Sequence, residues 1–191
     1  MIPKIIWQTH EFEYDGLSDT WLRNSNSWKD MNPDYEYRYV SARERKKMMK
    51  EMGFLAEYEK IRNPRQKSEF WRYLIMLKYG GFYVDMDSIC LSPLNFDHSK
   101  SLIVQAKNNG NEFYFNGYFA CEKGNEVISS FCDALLTFVR EKQDQITPSE
   151  MTMWEWSDFL NSNLEKITET DFNLYSSPIL QNENLKNIEF I

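Results

Sequence analysis

Residues 67–90 read KSEFWRYLIMLKYGGFYVDMDSIC, and a helix pattern is followed there by a strand pattern. The first part is apolar on nearly every side, which is typical of a buried helix. Ser68 is predicted to cap the start of this helix, and Gly80 to end it. The short apolar run Phe82–Val84 predicts a buried strand that leads directly into the acidic sequence at 85–87. This order of elements places two carboxylates at the end of a strand.

Strand and helix patterns also alternate along the rest of the 191 residues. The sequence predicts strands at 4–9, 35–40, 102–105, 112–121 and 172–175, and helices at 19–31, 43–51, 125–140 and 148–160. Such alternation is typical of an α/β protein with a mostly parallel sheet. A chain of this length builds one ordinary domain, so we expect a single domain over residues 1–191.

The charge of the chain limits what it can bind. The net charge is −7, from 22 basic and 29 acidic residues. Binding to a nucleic-acid backbone needs a basic stripe, so no nucleic-acid partner is expected. The one basic run, RERKKMMK at 43–50, is predicted to be the solvated face of a helix. Aromatic residues make up 16% of the chain, and some are expected to line a cleft for flat ligands.

The cysteines and the apolar stretches indicate the cellular compartment of the protein. Cys90, Cys121 and Cys132 form no CxxC pair and are interpreted as reduced, buried thiols. No stretch approaches the ~20 apolar residues needed to cross a bilayer, and no signal-peptide pattern opens the sequence. We therefore expect a cytoplasmic protein, bacterial or viral, without an integral membrane segment.

Asp85 and Asp87 are the strongest candidates for chemistry in this sequence. Side chains two residues apart on a strand lie on the same side of the chain. Two carboxylates at the carboxyl end of a strand suit a hard cation such as Mg²⁺ or Mn²⁺. Ligands of open α/β sheets gather outside that end. A metal there would let an acidic protein bind a nucleotide diphosphate, because the ion supplies the positive charge.

Four other polar residues are candidates of lesser weight. Glu69 and Arg72 are three residues apart on the predicted helix, so they form either a structural ion pair or part of a binding site. Asn116, followed by Gly117, predicts a tight turn that aims an amide at the site. His10 follows the first strand and is interpreted as a surface histidine, with a role in the donor site as the alternative.

A resemblance to a known family rests on three blocks of sequence. They are IPKIIWQTH at 2–10, KSEFWRYL at 67–74 and KYGGFYVDMD at 78–87, with looser similarity at 116–120. Together they resemble glycosyltransferase family 32, whose sugar transferases carry a DxD motif. The family includes fungal initiating mannosyltransferases and bacterial capsule enzymes of polysaccharide biosynthesis, and the glucosyltransferase domains of clostridial toxins are similar in this region.

The resemblance implies a GT-A fold and a retaining, metal-dependent sugar transfer. The donor is then a UDP- or GDP-sugar, the acceptor a glycan or another hydroxyl, and the cofactor Mn²⁺ or Mg²⁺. By the same resemblance, Asp87 binds the metal directly. Asp85 contacts it through water and hydrogen-bonds the donor.

The resemblance also assigns the remaining site residues. Arg72 reaches the donor's diphosphate or sugar hydroxyls, and Arg72, Asp85 and Asn116 form the catalytic group. Trp7 and Gln8 flank the nucleobase. Glu69 stands where the family has an aspartate and contacts the donor sugar.

The lid that family members carry near the C-terminus has no clear counterpart in this sequence. Members commonly carry a His or another polar residue followed by a Trp near the C-terminus, and this chain has no such pair after Pro178. The sequence Trp154-Glu155-Trp156 is the candidate to take that role.

Two other functions fit parts of the sequence. A phosphatase of the haloacid dehalogenase type also has an apolar strand ending in Asp-x-Asp, with the first aspartate, Asp85, as nucleophile. That enzyme needs a later acidic pair, which the sequence after residue 90 lacks. A sugar- or nucleotide-binding module without turnover is the second alternative, and detection of metal-dependent sugar transfer would exclude it.

Overall fold

The structure, a computed structural model, describes residues 1–108, 111–142, 158–160, 162, 172–174, 180–182 and 188–190. Its strands are β1 (Ile5–His10), β2 (Glu36–Ser41), β3 (Gly81–Val84), β4 (Ser88–Cys90), β5 (Ser101–Asn108), β6 (Asn111–Cys121), β7 (Phe172–Leu174), β8 (Leu180–Asn182) and β9 (Ile188–Phe190). Its helices are α1 (Asp19–Met31), α2 (Ala42–Met52), α3 (Leu55–Lys60), α4 (Pro64–Tyr79) and α5 (Glu126–Glu141). The predicted alternation of strands and helices is confirmed.

A mixed seven-stranded sheet forms the centre of the protein, in the order β2-β1-β3-β6-β5-β7, with β9 also paired to β5. The β1–β2, β1–β3 and β5–β7 pairs are parallel, and the β3–β6, β5–β6 and β5–β9 pairs are antiparallel. Strands β1, β2, β3, β5 and β7 therefore run in one direction, and β6 and β9 run in the other. The predicted α/β class with a mixed, mostly parallel sheet is confirmed. β4 and β8 form a separate two-stranded sheet.

The sheet separates two layers of helices because neighbouring residues of a strand point to opposite faces. Ile6 and Phe82 pack on one face in a cluster with Trp28 of α1. Trp7 and Tyr83 pack on the other face, with side chains from α2 to α5. The carboxyl ends of the neighbouring parallel strands β1 and β3 lie between these layers, and the candidate site is found there.

Helix α4 begins earlier than the sequence predicted. Its cap is Asn63, whose Oδ1 accepts hydrogen bonds from two backbone N–H groups of the first turn at 2.9 and 3.4 Å. Pro64 occupies the first helical position, where its missing N–H costs nothing. The prediction that Ser68 caps this helix was therefore wrong, and Ser68 Oγ instead donates to a backbone carbonyl at 2.6 Å. The predicted end at Gly80, which has φ 68°, is confirmed.

One residue of the basic run at 43–50 contradicts the prediction that this run is a solvated helix face. Arg45 is fully buried, whereas the other basic side chains of the run are exposed. It donates to Thr9 Oγ1 and to the His10 carbonyl, and it forms an ion pair with Glu11. A buried guanidinium needs such partners. Arg45 thus fixes the chain just after β1.

The three cysteines are free and buried, as predicted. Within the ranges that the structure describes, no helix is long and apolar enough to span a membrane.

Predictions for the later part of the chain are tested only in part. The strand predicted at 172–175 is confirmed as β7. The helix predicted at 148–160 lies mostly outside the described residues, with 158–160 helical. The candidate lid Trp154-Glu155-Trp156 also lies outside them.

Candidate active site

Asp85 and Asp87 lie in a tight turn rather than along a strand. The last sheet hydrogen bond runs from Asp85 N to Gly117 O at 2.8 Å, and the chain then turns. Ser88 N donates to Asp85 O at 3.1 Å and closes the turn Asp85–Ser88, which we name the DXD turn. The strand-based argument for their common direction was therefore wrong, because β3 ends at Val84. Both side chains nevertheless line the same cleft, as expected.

The cleft beside the DXD turn has a volume of about 510 Å³. Its lining residues are Thr9, His10, Glu11, Trp21, Arg45, Arg65, Ser68, Arg72, Asp85, Met86 and Asp87. They come from the end of β1, from α1, α2 and α4, and from the turn after β3. The cleft thus lies at the carboxyl ends of parallel strands, where open α/β sheets bind ligands.

Two buried side chains fix the carboxylate of Asp85. Its Oδ1 lies 3.0 Å from Arg72 Nη2 and accepts a hydrogen bond from Tyr83 OH at 2.7 Å. Burial raises the pKa of Tyr83 well above its ordinary value, and the negative charge of Asp85 raises it further. Tyr83 therefore remains a neutral donor. The side chain of Asp85 is still 30% exposed towards the cleft, so it can contact a ligand.

Arg72 is the buried cation of the site, with 3% of its surface exposed. Its Nη1 donates to Asn116 O at 2.7 Å, and its guanidinium lies 4.4 Å from the ring centre of Tyr83. Burial opposes its charge, but Asp85, together with Tyr83, Glu69 and Tyr73, outweighs burial and raises the pKa of Arg72. The Nε atom makes no hydrogen bond to any residue that the structure describes. This Nε atom is itself buried.

Glu69 does not form the predicted ion pair with Arg72. Its Oε1 lies 3.3 Å from Nε of Arg65, one helical turn earlier, and the salt bridge of Arg72 goes to Asp85. Glu69 is 5% exposed, and burial raises the pKa of its carboxyl group. It lies behind the wall of the cleft, which its partner Arg65 lines. This position does not support the predicted contact between Glu69 and a donor sugar.

The prediction of a turn at Asn116 was wrong. Asn116 and Gly117 lie inside β6, where the register with β5 shifts, because Phe115 pairs with Val104 but Phe119 pairs with Ile103. The residues between form a bulge.

The amide of Asn116 does not reach the cleft. Its Nδ2 donates to Tyr73 OH at 3.0 Å, and the residue is 4% exposed. The predicted catalytic contact is therefore not supported. Asn116 instead touches Arg72 through its backbone carbonyl.

Trp7 and Gln8 also lie away from the cleft surface. Trp7 is 1% exposed, and its Nε1 donates to Gly80 O at 3.0 Å inside the core. Gln8 is fully buried, and its Nε2 donates to Asp85 O at 3.2 Å. The predicted contacts with a nucleobase are therefore not supported. Trp7 packs the core, and Gln8 holds the DXD turn.

Two aromatic rings line the cleft, and neither was predicted from the sequence to flank a nucleobase. The rings of His10 and Trp21 are 5.1 Å apart, and Phe12 lies 5.3 Å from His10 on the other side. Burial lowers the pKa of His10, so its ring is neutral at physiological pH. His10 is half-buried and lines the cleft, a position that fits its alternative role in a donor site. The spacing of Trp21 fits a core helix face, and helix periodicity does not distinguish a core from a cleft.

The residues of the cleft fit a metal ion that is shared with a ligand. Among the residues described, no three His, Cys, Asp or Glu side chains are grouped so as to hold a metal. The DXD turn supplies the two carboxylates of Asp85 and Asp87, and the third carboxylate of the cleft, Glu11, is paired with Arg45. Mg²⁺ and similar ions commonly bind through one or two carboxylates together with water and phosphate oxygens. Such an ion would bind weakly to the protein alone and more tightly with a diphosphate.

Comparison with known proteins identifies the region that carries this site. A family model described as a glycosyltransferase sugar-binding region containing a DXD motif matches residues 18–108. The chain is 30% identical over 114 residues to an initiation-specific alpha-1,6-mannosyltransferase of Candida albicans. It is 33% identical over 99 residues to the mannosyl phosphorylinositol ceramide synthase SUR1 of Saccharomyces cerevisiae. These matches cover 56% and 49% of this chain, but only 30% and 25% of the two relatives.

Solved structures share the fold at low sequence identity. The PaToxG glycosyltransferase superposes with a TM-score of 0.62 at 19% identity, over 88% of this chain and 72% of that one. A transferase mutant gives a TM-score of 0.55 at 14% identity, over 94% and 95% of the two chains. The predicted GT-A fold is thereby confirmed. Residues 18–108 match the model of glycosyltransferase sugar-binding regions that contain a DXD motif, which confirms the resemblance found in the sequence.

Proposed function

We propose that this protein is a retaining glycosyltransferase that moves a sugar from a nucleotide-diphosphate donor to a hydroxyl acceptor. One observation carries the proposal: the two carboxylates of a DXD motif and the guanidinium of Arg72 line one cleft at the carboxyl ends of β1 and β3. Carboxylates suit a metal, and a guanidinium suits phosphate and sugar oxygens. A metal-bridged diphosphate needs both.

Asp87 is proposed as the direct ligand of a Mn²⁺ or Mg²⁺ ion, with Asp85 beside it. The ion would neutralise the diphosphate and stabilise its charge as it leaves the sugar. Asp85 is oriented by Arg72 and Tyr83 through Oδ1, so its direction in the cleft is set before a ligand binds. Arg72 would donate to a diphosphate or sugar oxygen from the edge of its guanidinium that lines the cleft.

The aromatic wall of the cleft is proposed to hold the flat part of the donor. His10 and Trp21 lie on it with their rings 5.1 Å apart, and aromatic rings of this kind stack against flat ligands. They replace Trp7 and Gln8 in this role, because Trp7 and Gln8 are buried. Phe12 extends the wall and is 60% exposed.

Mannose is the first sugar to test. The relatives named above are a mannosyltransferase and a mannosyl-transferring synthase, and their names support a mannosyl donor for this chain. The acceptor is proposed to be a glycan or another hydroxyl compound. UDP-sugars remain in the test, because the residues lining the cleft do not select between the two bases.

Calorimetry with UDP and with GDP, first in EDTA and then in Mn²⁺, tests metal-bridged binding. We expect measurable affinity only with the metal, followed by transfer or hydrolysis of the matching nucleotide sugar. Asp87→Asn should remove both, whereas Asp97→Asn, in an exposed loop, serves as the matched control. Equal affinity with and without metal would contradict the proposal. Metal-dependent binding with no transfer or hydrolysis would instead favour a binding module.

A further inference from the structure

Three side chains from β1 and α1 donate hydrogen bonds to the backbone of the DXD turn. The bonds are Gln8 Nε2 to Asp85 O at 3.2 Å, Asn24 Nδ2 to Met86 O at 3.0 Å and Trp28 Nε1 to Ser88 O at 2.9 Å. All three donors are buried. The DXD turn is thus stabilised by side chains of β1 and α1 as well as by its own hydrogen bond from Ser88 N to Asp85 O.

Asn24 holds the carbonyl that has most influence on Asp87. Met86 O belongs to the peptide group that joins Met86 to Asp87, and that group is planar. Rotation of this plane would swing Asp87 away from the cleft. The hydrogen bond from Asn24 opposes this rotation.

The position of Asn24 in α1 indicates that its hydrogen bond to Met86 O, and not helix formation, is the reason for an asparagine there. Asparagine is a poor choice for a helix interior, because its amide competes with the helix backbone. Asn24 lies in the middle of α1 and is 5% exposed, so its amide also loses water. The hydrogen bond to Met86 O compensates for that loss.

We infer that Asn24 is a positioning residue that fixes Asp87 for ligand binding. Its effect on the backbone follows from the structure, and its effect on a ligand rests on the proposed function. Partners that orient metal ligands from outside commonly change metal affinity by about 10–100-fold when they are mutated. Asn24 lies on an element that contributes no carboxylate to the metal.

Asn24→Asp tests this inference, and Asn32→Asp is its matched control. The substitution keeps the shape but replaces a donor with an oxygen that repels the carbonyl. Asn32 ends the same helix, is 4% exposed and donates to a backbone carbonyl at the same 3.0 Å, that of Trp28. That carbonyl lies outside the DXD turn. Asn24→Ala and Asn32→Ala form a second pair, because they remove the side-chain donor without adding a charge.

Two measurements separate positioning from general stability. The first is amide hydrogen exchange of Asp85 and Ser88, which needs no ligand. We expect exchange there to rise at least tenfold in the Asn24 variants, after correction for global stability, and to change less than twofold in the Asn32 variants. The second is the affinity for UDP and GDP in Mn²⁺. We expect it to fall about tenfold in the Asn24 variants alone.

The two readouts give distinct outcomes. Equal exchange in the Asn24 and Asn32 pairs would overturn the inference, whatever the ligand does. Faster exchange with unchanged nucleotide affinity would also overturn it, because the turn would then move without consequence for binding. If the wild type binds neither nucleotide with Mn²⁺, the proposed function fails, and the exchange comparison still decides whether Asn24 holds the turn.

Discussion

At the scale of single residues, Arg72 has a structural role in the site and a proposed role in binding the donor. Its guanidinium binds the carboxylate of Asp85 and the carbonyl of Asn116, and it lies over the ring of Tyr83. Three contacts in different directions need a planar group with several donors, which lysine does not have.

We expect Arg72→Lys to lower both stability and activity. One charge-assisted hydrogen bond is lost in a buried place, which costs about 1–3 kcal/mol in the free energy of unfolding. Sugar transfer should fall by about 10²-fold in kcat/KM, as for other lost donors at developing charge. Urea unfolding and initial rates measure the two effects.

Arg38→Lys is the control for this substitution, because Arg38 pairs with Glu36 on the surface. It should change stability by less than about 1 kcal/mol. A near-normal rate in Arg72→Lys would assign Arg72 to the scaffold alone.

Gly117 makes room for the carboxylate of Asp85. Its φ is not positive, so its backbone would accept another residue. A Cβ there would nevertheless collide with Asp85 Oδ2 and lie 2.5 Å from Cζ of Phe115. The requirement for glycine is therefore one of space.

We expect Gly117→Ala to weaken metal-dependent nucleotide binding, because Asp85 must move. Overpacking should also lower the free energy of unfolding by about 1–3 kcal/mol. Phe115→Leu removes the ring atoms nearest to the new methyl group, so the double variant should recover stability without recovering affinity. Thermal unfolding and calorimetry in Mn²⁺ measure the two quantities. Recovery of both would show that Phe115, and not Asp85, sets the requirement.

At the scale of elements, α4 determines where the cation of the site lies. Its start is fixed by Asn63 and Pro64, and its end by Gly80. Between these residues it carries Arg65, which lines the cleft, and the buried Arg72. A stable first turn therefore supports the wall of the cleft.

We expect Asn63→Ala to lower the free energy of unfolding by about 1 kcal/mol, because it removes the cap. Ser68→Ala should have an effect near zero, since alanine favours a helix interior and Ser68 caps nothing. Chemical denaturation of both variants makes the comparison. A larger loss for Ser68→Ala than for Asn63→Ala would contradict the capping assignment.

At the scale of the whole molecule, Glu122 joins β5, β6 and α5. Its carboxylate accepts hydrogen bonds from Ser101 Oγ at 2.9 Å and from Asn125 Nδ2 at 2.7 Å. Partial burial raises the pKa of Glu122, but the bonds from Asn125 and Ser101 outweigh burial and lower it from its ordinary value of 4.5. The charged form is thus favoured in the folded protein.

A lowered pKa in the folded state means that the unfolded chain binds the proton more readily. Stability from Glu122 is therefore complete above the ordinary value of 4.5 and is lost as the pH falls through the lower, folded pKa. Glu122→Gln should be less stable than the wild type at pH 6, and the difference should narrow towards pH 3. Urea unfolding over this range measures it. A difference that stays constant with pH would contradict this account.

The sequence by itself determined the α/β class, the DXD motif and most elements through α5, but it missed α3 and β4. These features depend on neighbours two to four residues apart, and hydrophobic periodicity and end signals report such neighbours directly. The resemblance rests on three blocks of contiguous sequence, so it did not depend on the fold. The prediction that Asp85 and Asp87 line one cleft followed from the same local order.

Only the tertiary structure decided which side chains contact Asp85 and which face the cleft. Arg72 meets Asn116 across 44 residues of sequence, and Gln8 meets Asp85 across 77. No local pattern encodes a contact at such separation. An aromatic residue gives the same periodic signal in a core as in a cleft, so the sequence could not show that Trp7 is buried in the core and that Trp21 lines the cleft. Their burial depends on which elements pack against them, and packing is a property of the complete fold.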